Sequence, residues 1–461
     1  MTTASSTPNT LDDLRATVAG RVITPDDADY DEARAVKIGG YDDLRPSAIV
    51  RVRDAADVAT VVGYARATGS EIAVRSGAHS GAAHGTTDGG VVIDLCEMKD
   101  IQVDPTTRTA WAETGLTAVE VTTATAEQNL AVGFGDTGSV GIGGITTGGG
   151  IGYLVRKHGM TIDSVLAAEV VTADGQLRTV DADHDPDLFW AIRGGGGNVG
   201  VVTRFRFQLQ PLDGVVGGIL ILPATAETVE GFMTAAANAP EELSTIANVM
   251  PCPPMPFVPE EKHGAIVIMA FLCYAGDAEA GEAAMAPFRA LAEPIADMVK
   301  PIPYPEMYPS EEEGFPSPLV VGKTFFMDRV DRPAAEAIVR HIEASDSPMR
   351  AVQLRALGGA MARVPADATA FAHRSSPVMA IVVAFHEGGA DRDAKHAWVQ
   401  ALAADLDQGR EGAYVNFLED DDPEGVRRAY PGATGERLAR VKAQYDPENL
   451  FHRNHNVLPA A

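Results

Sequence analysis

Residues 73–95 read AVRSGAHSGAAHGTTDGGVVIDL. Two histidines, His79 and His84, lie in a run of small residues between apolar segments that end at Arg75 and Leu95. Small residues allow a backbone to approach another group closely. The preceding segments AIVRVR, DAADVATVVGYARATG and EIAVRS predict a β-α-β unit. We therefore expect the chain from Arg75 to Ser80 to leave a strand as a ligand-binding loop.

The composition excludes several classes of partner. The 461 residues are enough for more than one domain, because single cores tend to split beyond roughly 250–300 residues. The 37 basic and 64 acidic residues give a formal charge of −27, which would repel nucleic acid and anionic membranes. The longest apolar run, residues 265–275, is shorter than the roughly 20 residues that span a bilayer. We expect no nucleic-acid or membrane partner.

The cysteine content predicts neither a metal site nor a disulfide framework. Cys96, Cys252 and Cys273 have no metal-ligand spacing. A reducing compartment fits this content best, which predicts a cytoplasmic location. The first residues lack the basic start and apolar core of a secretory signal, and we interpret residues 1–20 as a short mobile tail.

The pattern of the chain changes after residue 212. Before it, VVIDL, IQVD and TAWAE predict short strands, residues 117–129 a helix, and the Asp174-Gly175 pair a hairpin. After it, amphipathic patterns predict an antiparallel sheet backed by helices, with irregular proline-rich loops at residues 251–259 and 301–318. The predicted strands are residues 265–274, 349–356, 378–386 and 413–418, and the predicted helices are residues 278–292, 332–344 and 392–405.

Three glycine-rich segments need separate interpretations. Gly195, Gly197 and Gly200 match G-x-G-x-x-G, but they follow the helix-like DPDLFWAIRG and precede the strand-like VVTRFRFQLQ, which is the wrong order for a dinucleotide-binding turn. The segments around Gly77 and at residues 138–152 are either simple turns or loops whose exposed N–H groups hold a phosphate. Two such loops in one domain favour a large ligand with a central diphosphate.

Several blocks in one order resemble a known family. The blocks are RSGAHS with TTDGGVVIDL, GSVGIGGITTGGGIGYLVRKHGMTIDSV, DLFWAIRGGGGNVGVVTRFRFQL, GGAMARVPADATAFAHR, YVNF and YDPENLFHRNHNV. They are similar to the vanillyl-alcohol-oxidase superfamily with its PCMH-type FAD domain and, more narrowly, to berberine-bridge-enzyme-like oxidoreductases. The resemblance implies an α+β fold. A two-part FAD-binding domain, residues 21–211 and 425–461, would be completed by the C-terminal tail, and residues 212–424 would form the substrate domain.

The same resemblance implies the cofactor site. His79 would be the single covalent attachment point of FAD, because Thr137 stands where doubly attached members have a cysteine. Ala78 replaces a glycine of the family, which the loop tolerates if its φ is negative. Asn454 and Asn456 would face one way in an extended tail. The implied FAD-binding residues are Arg75, Ser76, Gly77, Ala78, His79, Ser80, Thr137, Gly138, Gly143, Gly144, Ile145, Gly152, Val202, Asn416, Asn454 and Asn456.

The catalytic residues are less clear, because Phe417 replaces the last tyrosine of the family's Y-x-N-Y motif. Tyr414 and Asn416 share one face of a predicted strand, so Tyr414 is either the catalytic base or a buried core tyrosine. Gln353 and Arg355 also share a strand face. They either hydrogen-bond an oxygen-rich or anionic substrate, or Arg355 pairs with carboxylates.

Two further candidates for the site are histidines. His84 is either a neighbour of the flavin or a packing side chain, and His386 with Glu387 is a second candidate acid/base pair.

The resemblance implies an oxidoreductase that removes a hydride from a C–H bond next to oxygen or nitrogen. Dioxygen is the expected electron acceptor. Sugars, alkaloids, amines and polyketides are all candidate substrates. A dehydrogenase with another acceptor and a flavin-holding binding protein are the alternatives, and the oligomeric state stays open.

Overall fold

The computed structural model describes residues 7–308, 318–420 and 422–461. Up to residue 211 the strands are β1 (Arg21–Ile23), β2 (Ala48–Arg51), β3 (Ile72–Arg75), β4 (Val91–Asp94), β5 (Ile101–Asp104), β6 (Thr109–Glu113), β7 (Leu130–Ala131), β8 (Val165–Val171), β9 (Leu177–Asp181), β10 (Val201–Gln208) and β11 (Gln210–Pro211). The helices there are α1 (Leu11–Thr17), α2 (Tyr30–Arg34), α3 (Ala55–Thr68), α4 (Ala118–Ala126), α5 (Ile142–Gly148), α6 (Val155–His158) and α7 (Pro186–Ala191).

After residue 211 the strands are β12 (Val215–Pro223), β13 (Leu243–Pro251), β14 (Ile266–Tyr274), β15 (Ala296–Asp297), β16 (Lys300–Ile302), β17 (Val320–Met327), β18 (Arg350–Ala356) and β19 (Val378–Phe385). The helices are α8 (Ala226–Asn238), α9 (Ala278–Arg289), α10 (Arg332–Ala344), α11 (Ala360–Arg363), α12 (Gly389–Asp405), α13 (Pro423–Ala429) and α14 (Ala433–Tyr445). None of the helices in the described ranges is long and apolar enough to cross a membrane.

The β-α-β unit predicted from the first segments is present. Strands β2 and β3 both pair in parallel with β4, and β1 adds to β2 in antiparallel. Helix α3 joins β2 to β3, with Asp54 accepting a hydrogen bond from the Asp57 N–H at its start and Gly69 in a left-handed conformation at its end. The residues after β3 therefore leave the end of a buried parallel strand, as the sequence predicts.

A second, antiparallel sheet has the order β5-β6-β10-β8-β9. Its hairpin β8–β9 turns at the predicted Asp174-Gly175 pair, where Gly175 has a φ of 77°. The G-x-G-x-x-G glycines lie between α7 and β10, in the order that argued against a dinucleotide-binding turn.

The third sheet belongs to the second half of the chain, with the order β15-β12-β14-β13-β18-β19-β17 and β16 paired to β12. Helices α8, α9, α10 and α12 pack on one of its faces. Along β18, Val352, Leu354 and Ala356 point into that core, so residues 351, 353 and 355 point to the opposite face. The predicted α+β fold, with an antiparallel sheet backed by helices, is confirmed.

Three local predictions are wrong. Residues 413–418 do not form a strand, because the Phe417 N–H bonds back to the Tyr414 carbonyl and closes a 3₁₀ turn over Val415–Phe417. The second glycine-rich segment is not only loop, since part of it forms helix α5. The N-terminal tail is partly folded, because it contains α1, whose Leu14 is fully buried among residues of β2 and α3. Residues 1–6 of that tail and residues 309–317 of the second proline-rich loop lie outside the described residues.

A buried ion pair fixes the C-terminal tail to the first part of the chain. Lys442 on α14 and Asp446, the residue that follows this helix, have fully buried side chains with Nζ and Oδ2 3.1 Å apart. Lys442 donates to the carbonyls of Asn198 and Phe451, and Asp446 accepts from the N–H groups of Leu450 and Phe451. The ammonium and the carboxylate both have hydrogen-bond partners besides each other. These bonds hold residues 450–451 against the loop before β10.

We predict that Lys442→Met lowers the free energy of unfolding by about 3–5 kcal/mol, because it leaves the Asp446 carboxylate buried without its cation. Urea denaturation of the purified protein measures the change. Arg427→Met is the matched control: its ion pair with Glu424 is exposed, so its loss should cost at most about 1 kcal/mol. Equal effects of the two substitutions would contradict the role given to the buried pair.

Candidate active site

A cavity of about 560 Å³ lies between the loops of the first part of the chain and the helix-free face of the third sheet. Most of the predicted site residues line it. Those are Arg75, Ser76, Gly77, Ala78, His79, Ser80, Thr137, Gly143, Gly144, Ile145, Val202, Gln353, Arg355, Tyr414, Asn416 and Asn454. The β3 loop, helix α5, the tail and strand β18 thus meet at one space.

Three predicted cofactor residues do not line the cavity. A Cβ on Gly138 would lie 3.1 Å from the Tyr308 Cβ, and a Cβ on Gly152 would overlap the Phe134 carbonyl, so both glycines serve close packing. Asn456 is also outside the lining, because the tail bends at residues 453–455 and is not the extended segment that would turn Asn454 and Asn456 to one side.

The two glycine-rich segments touch each other at the cavity floor. A Cβ added to Gly141 would overlap Ser76 Oγ and Gly77 N, and one added to Gly77 would overlap Gly141 N. Gly144, one turn further along α5, has no atom within 4 Å of such a Cβ and lines the cavity. Glycine at 141 therefore closes the floor, and glycine at 144 keeps space open for a ligand.

His79 stands at the end of this contact. Its Nε2 lies 2.8 Å from Ser139 Oγ, on the segment that leads into α5. Ala78 has a φ of 61°, so the condition of a negative φ under which the loop would tolerate alanine is not met. Its carbonyl accepts from Lys37 N–H, which helps to hold a conformation that costs an alanine about 1 kcal/mol. The loop thus presents His79 through a backbone turn that a glycine would make without strain.

Arg75 lines the cavity but its charge is already matched. Its side chain is 5% exposed and its guanidinium donates to Asp94, 2.7 Å away, and to the carbonyls of Ala33 and Ala35. The arginine therefore anchors the end of β3 to β4 and α2.

The tail side of the cavity contains polar atoms without partners. Among the described residues, the Asn454 Oδ1 and the Tyr430 hydroxyl are buried with no hydrogen bond, while Asn454 Nδ2 donates to Gly197 and Phe451. Buried polar groups are normally satisfied, so these two atoms are available to hydrogen-bond a ligand in the cavity. A long cavity with small-residue walls, an open Gly144 and unsatisfied polar atoms fits a dinucleotide such as FAD.

A hydrogen-bonded row crosses the sheet face of the cavity. Asn248 on β13 accepts from Gln353, Gln353 accepts from Arg355 Nε at 2.8 Å, and Arg355 is 2.6 Å from Asp136. Arg355 also donates to the Ile151 carbonyl. Gln353 and Arg355 share one face as predicted, but the charge of Arg355 is neutralised by Asp136, which weakens the expectation of an anionic substrate.

Tyr414 is buried beside this row, with 1% of its surface exposed. Its hydroxyl oxygen accepts from Gly150 N–H at 2.8 Å and from Asn416 Nδ2 at 2.9 Å, and Asn416 also donates to the Ile145 carbonyl. Burial raises the pKa of Tyr414, so the hydroxyl stays neutral. A neutral phenol has to lose its own proton before it can accept one from a substrate, which argues against Tyr414 as the base.

The structure adds residues that the sequence reasoning missed. Those that also line the cavity are Asp136, Asn248, Glu419, Tyr430 and His455. The sequence could have indicated Glu419 as a site residue, because it follows the YVNF block by two residues. Asn248 gave no signal, since a single asparagine in an apolar strand has no distinctive spacing.

The histidine candidates separate clearly. His84 lines the cavity with its ring centroid 4.6 Å from that of His455. His386 and the exposed Glu387 lie outside the cavity lining, so the structure does not bring this pair to the site.

Two family descriptions match the chain. Residues 46–181 match the FAD binding domain, and residues 413–458 match the family described as berberine and berberine like. The first range contains the β3 loop and α5, and the second contains Tyr414, Asn416 and Asn454. The two matched regions therefore both supply lining residues of the same cavity.

Similar proteins cover nearly the whole chain. (R)-6-hydroxynicotine oxidase of Paenarthrobacter nicotinovorans is 31% identical over 96% of this chain and 97% of its own. An uncharacterised FAD-linked oxidoreductase of Bacillus subtilis, YgaK, is 30% identical over 96% and 97%. The crystal structure of 6-hydroxy-D-nicotine oxidase from Arthrobacter nicotinovorans superposes with a TM-score of 0.85 at 27% identity, covering 99% of this chain and 100% of that one.

We predict that Gly141→Ala lowers the stability of the fold, whereas Gly144→Ala lowers the flavin content. Gly141→Ala should lower the urea midpoint, because its methyl group overlaps the Ser76–Gly77 backbone. Gly144→Ala should keep the wild-type midpoint but bind less flavin, because its methyl group enters the open cavity. Urea denaturation and the ratio of flavin to protein absorbance measure both properties. A Gly144→Ala variant with full flavin content would contradict a cofactor at this position.

Proposed function

The chain belongs to the berberine and berberine-like family of FAD-linked oxidoreductases, and on that premise we propose that it removes a hydride from a carbon bearing oxygen or nitrogen in a small organic substrate. The single observation that supports this is the cavity, whose walls combine a fit to FAD with a polar sheet face. Bound FAD supplies the hydride acceptor. The chain's own residues hold the cofactor, orient the substrate and manage its proton.

The cofactor-holding residues come from three segments. We infer that Gly77, Gly141 and Gly144 form the narrow floor, while Asn454 and Tyr430 satisfy polar groups at the tail side. On the other wall, the row from Asn248 to Arg355 presents amide and guanidinium groups at fixed positions. Such fixed donors orient a substrate with little loss of entropy. Tyr414 positions Asn416 and the end of α5 and is not the base in this proposal.

Dioxygen is the proposed electron acceptor. The test is anaerobic mixing of the purified flavoprotein with a panel of amines, sugars, alkaloids and polyketides, followed by admission of air. At least one compound should bleach the flavin absorbance, and air should restore it with release of hydrogen peroxide. Recovery only with an artificial dye would indicate a dehydrogenase. No bleaching by any compound would favour a flavin-holding binding protein.

A covalent bond between His79 and the flavin is the next part of the proposal. The Ser139 hydrogen bond fixes the orientation of the His79 ring in the cavity. A neutral imidazole nitrogen is a suitable nucleophile. The bond would join a His79 ring nitrogen to the methyl carbon at the flavin's C8 position; the N–H and one methyl C–H bond would break with loss of two protons, and the two electrons released would pass to dioxygen. Thr137 offers no thiolate for a second bond.

We predict that acid-precipitated wild-type protein is yellow, with the flavin mass on the tryptic peptide that contains His79. His79→Ala should release all of its flavin to the supernatant, because no second attachment residue is present. His84→Ala is the control, since His84 also lines the cavity and should leave the flavin in the pellet. A colourless wild-type pellet, or a yellow His79→Ala pellet, would refute attachment through His79 alone.

A further inference from the structure

Glu419 lies on the cavity wall between the cofactor loop and the third sheet. A Cβ on Gly81, two residues after His79, would lie 3.3 Å from the Glu419 Cγ, and one on Gly322 of β17 would overlap its carboxyl oxygen. Both neighbours are glycines, so the backbone leaves room for this carboxyl group where larger side chains would displace it.

The charge of Glu419 is unmatched, unlike the other charges of the wall. Arg75 pairs with Asp94, and Arg355 pairs with Asp136. Within the described ranges, no lysine, arginine or histidine nitrogen lies within 4 Å of the Glu419 carboxyl. When ionised, Glu419 is therefore a negative charge on the cavity wall without an ion-pair partner among the described residues.

The surroundings of Glu419 explain its ionisation. Burial raises its pKa to about 7, helped by the neighbouring Asp420 and opposed by the Gly322 N–H of β17 and by Arg392 of α12. A buried carboxylate is stabilised when a cation or a hydrogen-bond donor reaches it. Glu419 is half-buried and has one such donor, the Gly322 N–H, so an added cation in the cavity would stabilise its ionised form further.

We propose that Glu419 binds the basic nitrogen of an amine substrate, so that the oxidoreductase acts on an amine. The inference rests on the proposed function and narrows it. In the step at this residue, an ammonium N–H proton passes to the Glu419 carboxylate, which gives a neutral amine and a carboxylic acid. No electrons move in this step. It frees the nitrogen lone pair that the loss of hydride from the adjacent carbon requires.

The charge can be tested without turnover. Thermal unfolding of the flavoprotein is measured for wild type, Glu419→Gln and the control Glu387→Gln, whose carboxyl is exposed outside the cavity. A raised pKa in the folded state means that ionisation costs stability as pH rises from about 4.5 through 7. Glu419→Gln should therefore melt higher than wild type at pH 8 and equally at pH 4.5, and Glu387→Gln should match wild type at both. Equal melting of all three at pH 8 would overturn the unmatched charge.

The amine is tested by binding. The probes are benzylamine, N-methylbenzylamine and piperidine, each beside its uncharged analogue: benzyl alcohol, benzyl methyl ether and tetrahydropyran. Flavin absorbance is followed anaerobically at pH 8. At least one amine should bind wild type about 10-fold or more tightly than its analogue, and Glu419→Gln should abolish the difference. The preference should also fall at pH 6, where Glu419 is mostly protonated.

The outcomes separate this inference from the proposed function. If no amine binds better than its analogue, or if Glu419→Gln keeps the preference, the amine site is wrong. If sugars or polyketides then bleach the flavin, the oxidoreductase proposal still stands. If no compound of any class bleaches it, the proposed function itself fails.

Discussion

The contact between the Gly77 backbone and Gly141 is the constraint on which the site depends. The loop after β3 and the start of α5 lie backbone to backbone, so neither position has space for a Cβ. This fixes His79 beside Ser139 and sets the floor of the cavity. It also positions α5, where the Ile145 carbonyl accepts a hydrogen bond from the side chain of Asn416 in the C-terminal part of the chain. One close approach thus aligns three segments that are distant in sequence.

Much of this architecture could be predicted from the sequence because it depends on local periodicity. The helical spacing of residues 54–69 predicted α3, and the alternation in β18 placed Gln353 and Arg355 on the face opposite the core. The assignment of the C-terminal tail to the FAD-binding domain came only from the resemblance to the family. Its physical anchor, the buried Lys442–Asp446 pair, contacts residues 198 and 451 and is invisible to any local pattern.

What could not be predicted depends on long-range contacts. Tyr414 accepts a hydrogen bond from Gly150, 264 residues away, and the segment around it forms a 3₁₀ turn instead of the expected strand. Ala78 takes a positive φ although alanine disfavours it, and its carbonyl is held by Lys37. The role expected for Arg355 also depends on a long-range contact. Asp136 pairs with its guanidinium and neutralises the charge that an isolated arginine would offer to an anion.

The central claim is that FAD occupies the cavity between the Gly77–Gly141 contact and β18. A crystal structure of the FAD-saturated protein tests this most directly. The account predicts flavin density with one ring edge at His79, and with polar atoms of the cofactor at Asn454 and Tyr430. Flavin density elsewhere in the molecule, or an empty cavity in crystals that retain the yellow colour, would contradict it.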